Sequence, residues 1–355
     1  MSLLLKVITT PGEFHPFIDL NHCVNRKQRW LECRACIDIC PKQVYDDKLA
    51  VKPNWTECQN CGLCVAACTA RCIAPSTPNV KRHLQLTGGQ QSVTISCKDH
   101  EVVNSHTEPC IGTLPWEYLA YLALDKKLVL NMTGCGTCPH KECTELLGKQ
   151  LTRLKSFFGE EEYAARVEMC RQEPKSGEEI QLSRRDLFRT GLKKTAQGAI
   201  QLTGEKDVPI SGMAYRKLLA DRVRTIYKET PPEERKSYYM NLPWFQDQCY
   251  GCGNCAKLCP NQAIEVAEEV NGKRLISVTP WKCVGCGVCS AVCREHGVQG
   301  NHRVKIPYLD KLPMTKVESK TCVRCGRPMK PGTEGDYCAS CRQKVKKSGM
   351  SDYRV

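Results

Sequence analysis

The sequence has 355 residues, of which 27 are cysteine, and a formal net charge of +14 at pH 7. Aromatic residues make up only 6% of the chain, and small cores with few aromatic side chains usually need disulfides or bound metal. Disulfides require an oxidising compartment, but residues Met1 to Val7 lack the basic and long apolar segments of a secretory signal. We therefore expect a cytoplasmic protein whose thiols are reduced and bound to metal.

Hydropathy and charge restrict the partners of the chain. The longest purely apolar run, Tyr118 to Leu124, is far shorter than the roughly 20 residues of a membrane-spanning helix, so we predict no direct membrane span. Basic residues are concentrated in residues 184–236 and in the C-terminal tail. A basic surface can bind nucleic acid or an acidic redox protein. We expect a protein partner and no nucleic acid.

The most specific motif consists of two cysteine runs with the same spacing, Cys-x2-Cys-x2-Cys-x3-Cys, the first followed directly by Pro260. The two runs are Cys249, Cys252, Cys255 and Cys259, and Cys283, Cys286, Cys289 and Cys293. This arrangement resembles the bacterial two-cluster ferredoxin family, in which three cysteines of a loop hold one cluster and the fourth reaches the other.

The resemblance implies two [4Fe-4S] clusters whose fourth ligands are exchanged. One cluster would be held by Cys249, Cys252, Cys255 and Cys293. The other would be held by Cys283, Cys286, Cys289 and Cys259. The alternative is a zinc site or a set of buried thiols.

The N-terminal cysteines follow the same plan with one departure. Their runs are Cys23, Cys33, Cys36 and Cys40, and Cys58, Cys61, Cys64 and Cys68. The gap after Cys23 is nine residues rather than two, and we interpret Val24 to Leu31 as a surface insertion. The same resemblance assigns one [4Fe-4S] cluster to Cys23, Cys33, Cys36 and Cys68, and another to Cys58, Cys61, Cys64 and Cys40. His22 is an alternative to Cys23, and Cys72 is interpreted as a buried free thiol rather than a ligand.

Each pair of cysteine runs flanks a predicted β-hairpin. In the N-terminal segment the hairpin falls on Val44 to Val51. In the other segment it consists of Ala263 to Val266 and Leu275 to Val278, joined through Asn271-Gly272. The Asn-Gly pair is a strong hairpin signal because both residues tolerate the left-handed backbone of a tight turn.

Residues 92–170 alternate between predicted strands and helices. Strands over Val93 to Ser96 and Leu128 to Leu130 lead into cysteine-containing loops, and an amphipathic helix with Leu146 and Leu147 on its apolar face follows. This alternation predicts a small parallel sheet with its ligands at the strand ends. The candidate ligands are Cys97, Cys110, Cys135, Cys138 and Cys143.

The order of these cysteines resembles the delta subunit of methyl-viologen-reducing hydrogenases. The shared features are a cysteine after the first strand, a Cys-x-Gly at Cys110, a Gly-Cys loop at Cys135 and the segment 162–169. The resemblance implies a [2Fe-2S] cluster that passes electrons between a catalytic hydrogenase or dehydrogenase and a heterodisulfide-reductase-like subunit. Five cysteines exceed the four that such a cluster needs, and the alternative is an α/β spacer.

The C-terminal segment contains two Cys-x2-Cys pairs separated by 12 residues, Cys322 and Cys325, and Cys338 and Cys341. Two such pairs make a tetrahedral four-thiolate site, most simply structural zinc, with a further iron–sulfur cluster as the alternative. The segment is too short for a core of its own, so metal would supply its folding free energy.

We predict an α+β, multi-domain protein in which two ferredoxin-like modules flank a small α/β domain and a zinc-ribbon-like four-cysteine knuckle follows. The ferredoxin modules are expected at 1–80 and 244–304, the α/β domain at 85–172, a basic helical linker at 173–243 and the knuckle at 318–345. Within the linker, apolar residues at helical spacing predict helices over 184–202 and 213–227.

The sequence lacks the motifs of common substrate sites, since it contains no P-loop, no G-x-G-x-x-G and no flavin or pterin signature. We expect a non-catalytic subunit that relays single electrons through several [4Fe-4S] clusters. Its complex would be a cytoplasmic anaerobic oxidoreductase of the hydrogenase, formate dehydrogenase or heterodisulfide-reductase-like kind. The alternative is an iron–sulfur redox sensor that contacts nucleic acid or a partner protein, but a sensor needs only one cluster.

Overall fold

The computed structural model describes most of the chain. The described residues are 15–27, 31–46, 53–76, 83, 91–102, 105–171, 211–268, 273–307 and 310–347. The chain divides into two compact units, residues 1–238 and 239–355, and each contains both helices and strands. The helix predicted over 184–202 and most of the hairpin predicted over 44–51 lie outside the described residues.

The N-terminal cysteine segment is closed by a short pair of strands at its two ends. β1 (Phe17–Ile18) pairs antiparallel with β2 (Ile73–Ala74), so the two ends of the segment lie side by side. Three short helices lie between them, α1 (Val24–Lys27), α2 (Ala35–Asp38) and α3 (Leu63–Ala67). All cysteines from Cys23 to Cys72 are thereby confined to one small body.

Helix α1 occupies part of the stretch that we interpreted as a surface insertion, and its first two residues are not at the surface. Val24 and Asn25 are buried. The Asn25 side chain donates to the Cys33 carbonyl oxygen at 2.5 Å and accepts from the Cys33 N–H at 2.7 Å. The beginning of the longer loop is therefore tied to the second cysteine of its run, because the amide satisfies both backbone groups of Cys33.

Residues 91–171 form a small α/β domain around a parallel sheet, as the strand–helix alternation predicts. Its strands are β3 (Ser92–Cys97), β4 (His106–Glu108), β5 (Lys127–Asn131) and β6 (Val167–Cys170), in the order β4-β3-β5-β6. All neighbouring strands are parallel. Buried Ile95 lies opposite Leu130, and Leu128 lies opposite Val167. All four carboxyl ends therefore lie along one edge of the sheet, where loops can bring ligands together.

Helices cover this sheet with apolar faces. They are α4 (Trp116–Asp125), α5 (Lys141–Phe158) and α6 (Glu160–Arg166). Helix α5 buries Leu146, Leu147 and Leu154 on one face, as its 3.6-residue periodicity predicts. No helix within the described residues is long and apolar enough to cross a membrane.

Helix α7 (Ala214–Glu229) corresponds to the helix predicted over 213–227, and it packs against the α/β domain. The Arg222 side chain binds Asp125 at 2.6 Å, and the buried Arg216 guanidinium lies 3.6 Å from the Glu117 carboxylate. Residues 211–238 consequently belong to the first compact unit, although they lie in the segment expected to be a linker.

The second unit repeats the plan of the N-terminal segment on a larger scale. β7 (Tyr238–Phe245) pairs with β10 (Val298–Ile306). Between them the predicted hairpin is present, since β8 (Ile264–Glu268) runs antiparallel to β9 (Lys273–Val278). β11 (Leu312–Glu318) extends this hairpin to three strands by pairing with β9. The short helices α8 (Asn254–Leu258) and α9 (Val288–Ala291) each follow the first cysteines of a run.

The C-terminal segment has only a minimal core. A two-stranded ribbon, β12 (Lys320–Thr321) with β13 (Pro328–Met329), precedes helix α10 (Ala339–Lys347). The buried residues of this segment are Cys322, Met329 and Cys341. Because two of these three are cysteines, apolar burial contributes little to its stability.

A buried ion pair joins the N-terminal cysteine segment to the α/β domain. The Arg71 guanidinium donates to both carboxylate oxygens of Glu117, at 3.1 and 2.7 Å, and both side chains are at least 97% buried. Burial alone would raise the pKa of Glu117, but the charges of Arg71 and Arg216 outweigh it and hold the pKa below its ordinary value. The pair is bidentate, which fixes its geometry as well as its charge balance.

We expect Glu117→Gln to destabilise the first unit by about 3–5 kcal/mol, because it leaves two buried guanidinium groups without a counter-charge. The measurement is urea unfolding of the full chain under anoxic conditions. The matched control is Glu168→Gln at the exposed pair with Lys127, where the loss should be at most about 1 kcal/mol. Equal effects of the two substitutions would contradict a central role for the Arg71–Glu117 pair.

Candidate metal centres

The four cysteine runs of the two ferredoxin-like segments share an unusual backbone conformation. The residue directly before the second cysteine of each run has positive φ. These residues are Glu32 at 40°, Asn60 at 50°, Gly251 at 69° and Gly285 at 66°. The residue three positions after each fourth cysteine also has positive φ. These residues are Gln43 at 49°, Arg71 at 55°, Gln262 at 51° and His296 at 52°. Non-glycine residues rarely adopt this conformation, so its recurrence at matching positions indicates a common requirement of the loops.

Besides its longer first gap, the first run of the N-terminal segment differs from the others at the residue directly after its second cysteine. In the other three runs this position is a glycine with positive φ before a short helix, Gly62, Gly253 or Gly287. In the first run the position is Arg34, with φ of −110°. The loop around Cys33 nevertheless keeps the positive φ at Glu32, so the nine-residue gap does not change the conformation next to the second cysteine.

The eight thiols of the two cysteine runs in the second unit come together in two sets, and each set contains the fourth cysteine of the other run. One cavity is lined by Cys259, Cys283, Cys286 and Cys289. In the other set, burial and then the thiolate charges of Cys249, Cys252 and Cys293 raise the pKa of Cys255 to about 12. The sequence resemblance implies the same two groups of four as cluster ligands, and their binding of clusters stays a prediction.

The N-terminal thiols form two sets in the same crossed manner. A cavity is lined by Cys40, Cys58, Cys61 and Cys64. In the other set, burial and then the charges of Cys68, Cys33 and Cys23 raise the pKa of Cys36 to about 12. Four thiolates cannot share such a space without a cation, because their mutual repulsion favours the neutral form. Soft thiolate ligands in fours suit iron–sulfur clusters or zinc.

Backbone N–H groups point at several of these sulfur atoms. Asn60 donates to Cys58 Sγ at 3.4 Å, and Ala263 donates to Cys259 Sγ at 3.2 Å. Such bonds stabilise a negative sulfur and lower the free energy of the thiolate form. The two sets of each segment are also neighbours, since burial and the charge of Cys36, among other thiolates, raise the pKa of Cys64. In the same way, burial and the charges of nearby thiolates, including Cys255, raise the pKa of Cys289.

The five predicted cysteines of the α/β domain meet at the carboxyl edge of its sheet. The hydrogen bond with Cys143 lowers the pKa of Cys110 to about 7. Burial and then the charges of Cys110, Cys97 and Cys138 raise the pKa of Cys135 to about 11. Cysteines from three strand ends and from the start of α5 therefore form a third kind of thiol cluster, which also fits a thiolate-held cofactor.

Small residues and one asparagine shape the loops of this cluster. Asn131 donates to the His100 carbonyl oxygen at 2.7 Å and thereby joins the loops after β3 and β5. A Cβ at Gly134 would overlap the His100 ring at 1.9 Å, and a Cβ at Gly112 would lie 2.8 Å from the Cys143 carbonyl oxygen. Glycine is required at position 112 because the Cys143 backbone approaches so closely, whereas a side chain at position 134 would require the His100 ring to move.

The α/β cluster lies next to one of the two N-terminal sets. Leu63 and Ala66 of α3 pack with Leu146 of α5, and Cys61 and Cys143 contact the same apolar cluster. The hydrogen bond with Cys110, burial, and the charges of nearby thiolates including Cys61 raise the pKa of Cys143. Sequence spacing gave no indication of this proximity, because Cys143 follows Cys61 by 82 positions.

The four cysteines of the C-terminal knuckle converge as predicted. The Sγ atoms of Cys322, Cys325, Cys338 and Cys341 all lie within 4.8 Å of one another. The Cys338 N–H donates to Cys322 Sγ at 3.2 Å, and Gly326 adopts a φ of 66° after the first pair. A tetrahedral metal would fit among four thiolates at this separation.

Three further residues can be placed relative to these sets. His22 pairs through Nδ1 with Asp19 at 2.7 Å. Cys72 lies within the set of Cys23, with its Sγ 3.4 Å from Cys68 Sγ, which the sequence analysis did not predict. Cys170 ends β6 at the same sheet edge as the α/β cluster, and its thiol lies 3.9 Å from the Glu168 carboxylate.

Comparison with known proteins supports iron–sulfur chemistry for the second unit. Residues 248–298 match a family described as a 4Fe-4S dicluster domain. This range contains the eight cysteines of the two runs, Cys249 to Cys259 and Cys283 to Cys293, and none of the C-terminal knuckle. No curated protein matches the sequence. The match and the thiol geometry together indicate a protein that binds [4Fe-4S] clusters and has an electron-transfer role.

We expect Cys259→Ser to disturb the cluster whose other ligands are Cys283, Cys286 and Cys289, because Cys259 lines their cavity. The cluster led by Cys249 should be largely retained. The measurement is electron paramagnetic resonance and iron content of the reduced, anoxically purified chain. Cys170→Ser serves as the control and should leave both signals unchanged. Loss of the Cys249-led signal in place of the other would contradict the crossed grouping.

Proposed function

We propose that this protein is an electron-transfer subunit that relays single electrons through four [4Fe-4S] clusters and one [2Fe-2S] cluster. In this proposal each crossed set of four cysteines holds one cube. The α/β domain holds the [2Fe-2S] cluster with cysteines from Cys97, Cys110, Cys135, Cys138 and Cys143. The subunit itself has no catalytic role, and two-electron chemistry takes place in another subunit of a cytoplasmic anaerobic oxidoreductase complex.

The observation that carries this proposal is the succession of adjacent thiol sets in the first unit. The Cys23-led set neighbours the Cys58-led set through Cys36 and Cys64. The Cys58-led set neighbours the α/β cluster through Cys61 and Cys143. Electron tunnelling falls steeply with distance, so clusters held by adjacent sets would be well placed to exchange electrons. A sensor would gain nothing from such a series, whereas a relay requires it.

The charge balance supports clusters at these sites. A [4Fe-4S] cluster with four thiolates carries about −2 when oxidised. Four such clusters contribute about −8, which lowers the formal net charge of the chain from +14 to about +6. Basic residues beside buried thiolates, such as Arg71 next to Cys68, would stabilise that charge. The proposed [2Fe-2S] cluster and zinc site, each with four thiolates, would contribute about −2 each, which leaves the loaded chain with a net charge of about +2.

The α/β domain is the proposed point of exchange with partner subunits. Its cysteines lie on loops at one sheet edge, and Cys97, Cys110, Cys135, Cys138 and Cys143 are all only partly buried. A cluster there would be open to an external donor or acceptor. The resemblance to the hydrogenase delta subunit supports a catalytic hydrogenase or dehydrogenase, or a heterodisulfide-reductase-like subunit, as that partner.

We further propose that the C-terminal knuckle binds one structural zinc ion. Its four thiols are the right number and spacing for a closed tetrahedral site, and its apolar core consists of Cys322, Met329 and Cys341. Metal binding would therefore provide most of the folding free energy of this segment. The ion would have no catalytic role, because all four positions are taken by protein ligands.

Anoxic metal analysis of the fully loaded chain should give about 18 iron atoms and one zinc per chain, according to the ligand sets above. The Cys338→Ser variant is expected to lose zinc and retain its iron. Fewer than about 12 iron atoms in fully loaded protein would exclude two complete two-cluster modules.

Replacing Cys135 or Cys143 by Ser should remove about two iron atoms and the [2Fe-2S] spectrum, and leave the four cubes intact. The same variants should no longer exchange electrons with the partner that co-purifies under anoxic conditions. Cys170→Ser, which changes a thiol at the same sheet edge, is the matched control and should retain both. If the native chain lacks a [2Fe-2S] spectrum and both variants still exchange electrons, the domain is a spacer.

A further inference from the structure

The set led by Cys23 contains a fifth thiol. Cys72 is buried, and its Sγ lies 3.4 Å from Cys68 Sγ. It is also close enough to Cys23 to lower the pKa of that thiol to about 6. Its backbone N–H donates to Cys68 Sγ at 3.3 Å. A thiol in contact with one proposed ligand and close to a second can act on the cluster without replacing either of them.

In the second unit, a glycine occupies the position that matches Cys72. Cys72 follows Cys68 by four residues, and Gly297 follows Cys293 by four residues. Both carbonyl oxygens accept an N–H from the chain next to the partner strand, from Asp19 at 2.8 Å and from Gln246 at 3.0 Å. The two positions are therefore equivalent in the fold as well as in spacing.

The neighbouring first cysteine decides what fits at this position. A Cβ at Gly297 would lie 2.8 Å from the Cys249 backbone nitrogen and 3.2 Å from its Cβ, so no side chain fits there. In the N-terminal segment the gap after Cys23 has nine residues, and the Cys72 side chain is accommodated against Cys23. The longer loop and the side chain at position 72 therefore occur together in the N-terminal segment, whereas the short loop and Gly297 occur together in the second unit.

We propose that the Cys72 thiol donates a hydrogen bond to the ligand sulfur atoms of the Cys23-led cluster and raises the reduction potential of that cluster. The inference rests on the proposed function, since it requires a [4Fe-4S] cluster held by Cys23, Cys33, Cys36 and Cys68. On reduction the cluster gains one electron from its donor and no bond is broken. Hydrogen bonds to the sulfur atoms stabilise the added negative charge, and burial strengthens them.

The consequence is an asymmetry between the four cubes. The cluster with a fifth thiol would hold an electron more readily than its counterpart led by Cys249, where glycine stands in place of that thiol. Its thiols neighbour the Cys58-led set, which in turn neighbours the α/β cluster. Electrons that enter at the α/β domain would accordingly collect at the Cys23-led cluster.

The test is a dithionite redox titration of the full-length, anoxically purified chain, followed by electron paramagnetic resonance. Cys72→Ala removes the donor, and Cys72→Val removes it while filling the space. In both variants one [4Fe-4S] midpoint should move to a more negative potential with iron content unchanged. Cys72→Ser retains an O–H donor and should lie between these variants and the native chain. Cys170→Ala is the control and should shift no midpoint.

Unchanged midpoints in both Cys72→Ala and Cys72→Val would overturn the proposal. Loss of about four iron atoms in these variants would also overturn it, because Cys72 would then be a ligand rather than a donor. Failure of the underlying function is distinguishable from both outcomes, since a native chain without cubane clusters would show no such midpoints before any substitution.

Discussion

The crossing of the fourth cysteines is the constraint on which the rest of the structure depends. In both ferredoxin-like segments, the last thiol of one cysteine run lies with the first three thiols of the other run. Neither set can form from the cysteines of one run alone, so the two runs must fold together as one body. The end strands then pair, β1 with β2 and β7 with β10, because the crossing brings both ends of the segment together. Repeated left-handed residues at equivalent positions show that four different sequences meet the same demand.

Arg71 connects that constraint to the neighbouring domain. It occupies the left-handed position after Cys68, and its guanidinium donates to the carbonyl oxygens of Val65, Ala66 and Cys68 at the end of α3. The same guanidinium binds Glu117 of α4. One buried side chain thus satisfies the open carbonyl groups at the end of a helix and joins two domains. Cys61 and Cys143 both pack against a further apolar cluster that the same two domains share.

The two ferredoxin-like segments differ in one coordinated respect. The N-terminal segment has a longer first loop, a buried Asn25 that fixes that loop to Cys33, and a fifth thiol at Cys72. The second unit has the short loop and Gly297. Duplicated modules with identical ligands would have similar potentials, whereas hydrogen bonds around the sulfur atoms can separate them. The differences lie around the ligands, where they can change the energy of an electron without changing the number of clusters.

The sequence by itself determined the ligand candidates, the hairpin of the second unit, the parallel sheet and the four-thiol knuckle. Each of these rests on local information, namely cysteine spacing, an Asn-Gly turn or strand–helix alternation. Only the tertiary structure decided that Cys72 belongs to the Cys23-led set, that Cys61 lies next to Cys143 and that residues 211–238 pack on the α/β domain. These contacts join residues whose spacing carries no periodic signal, and they form because buried charge and apolar surface must find partners once the chain is compact.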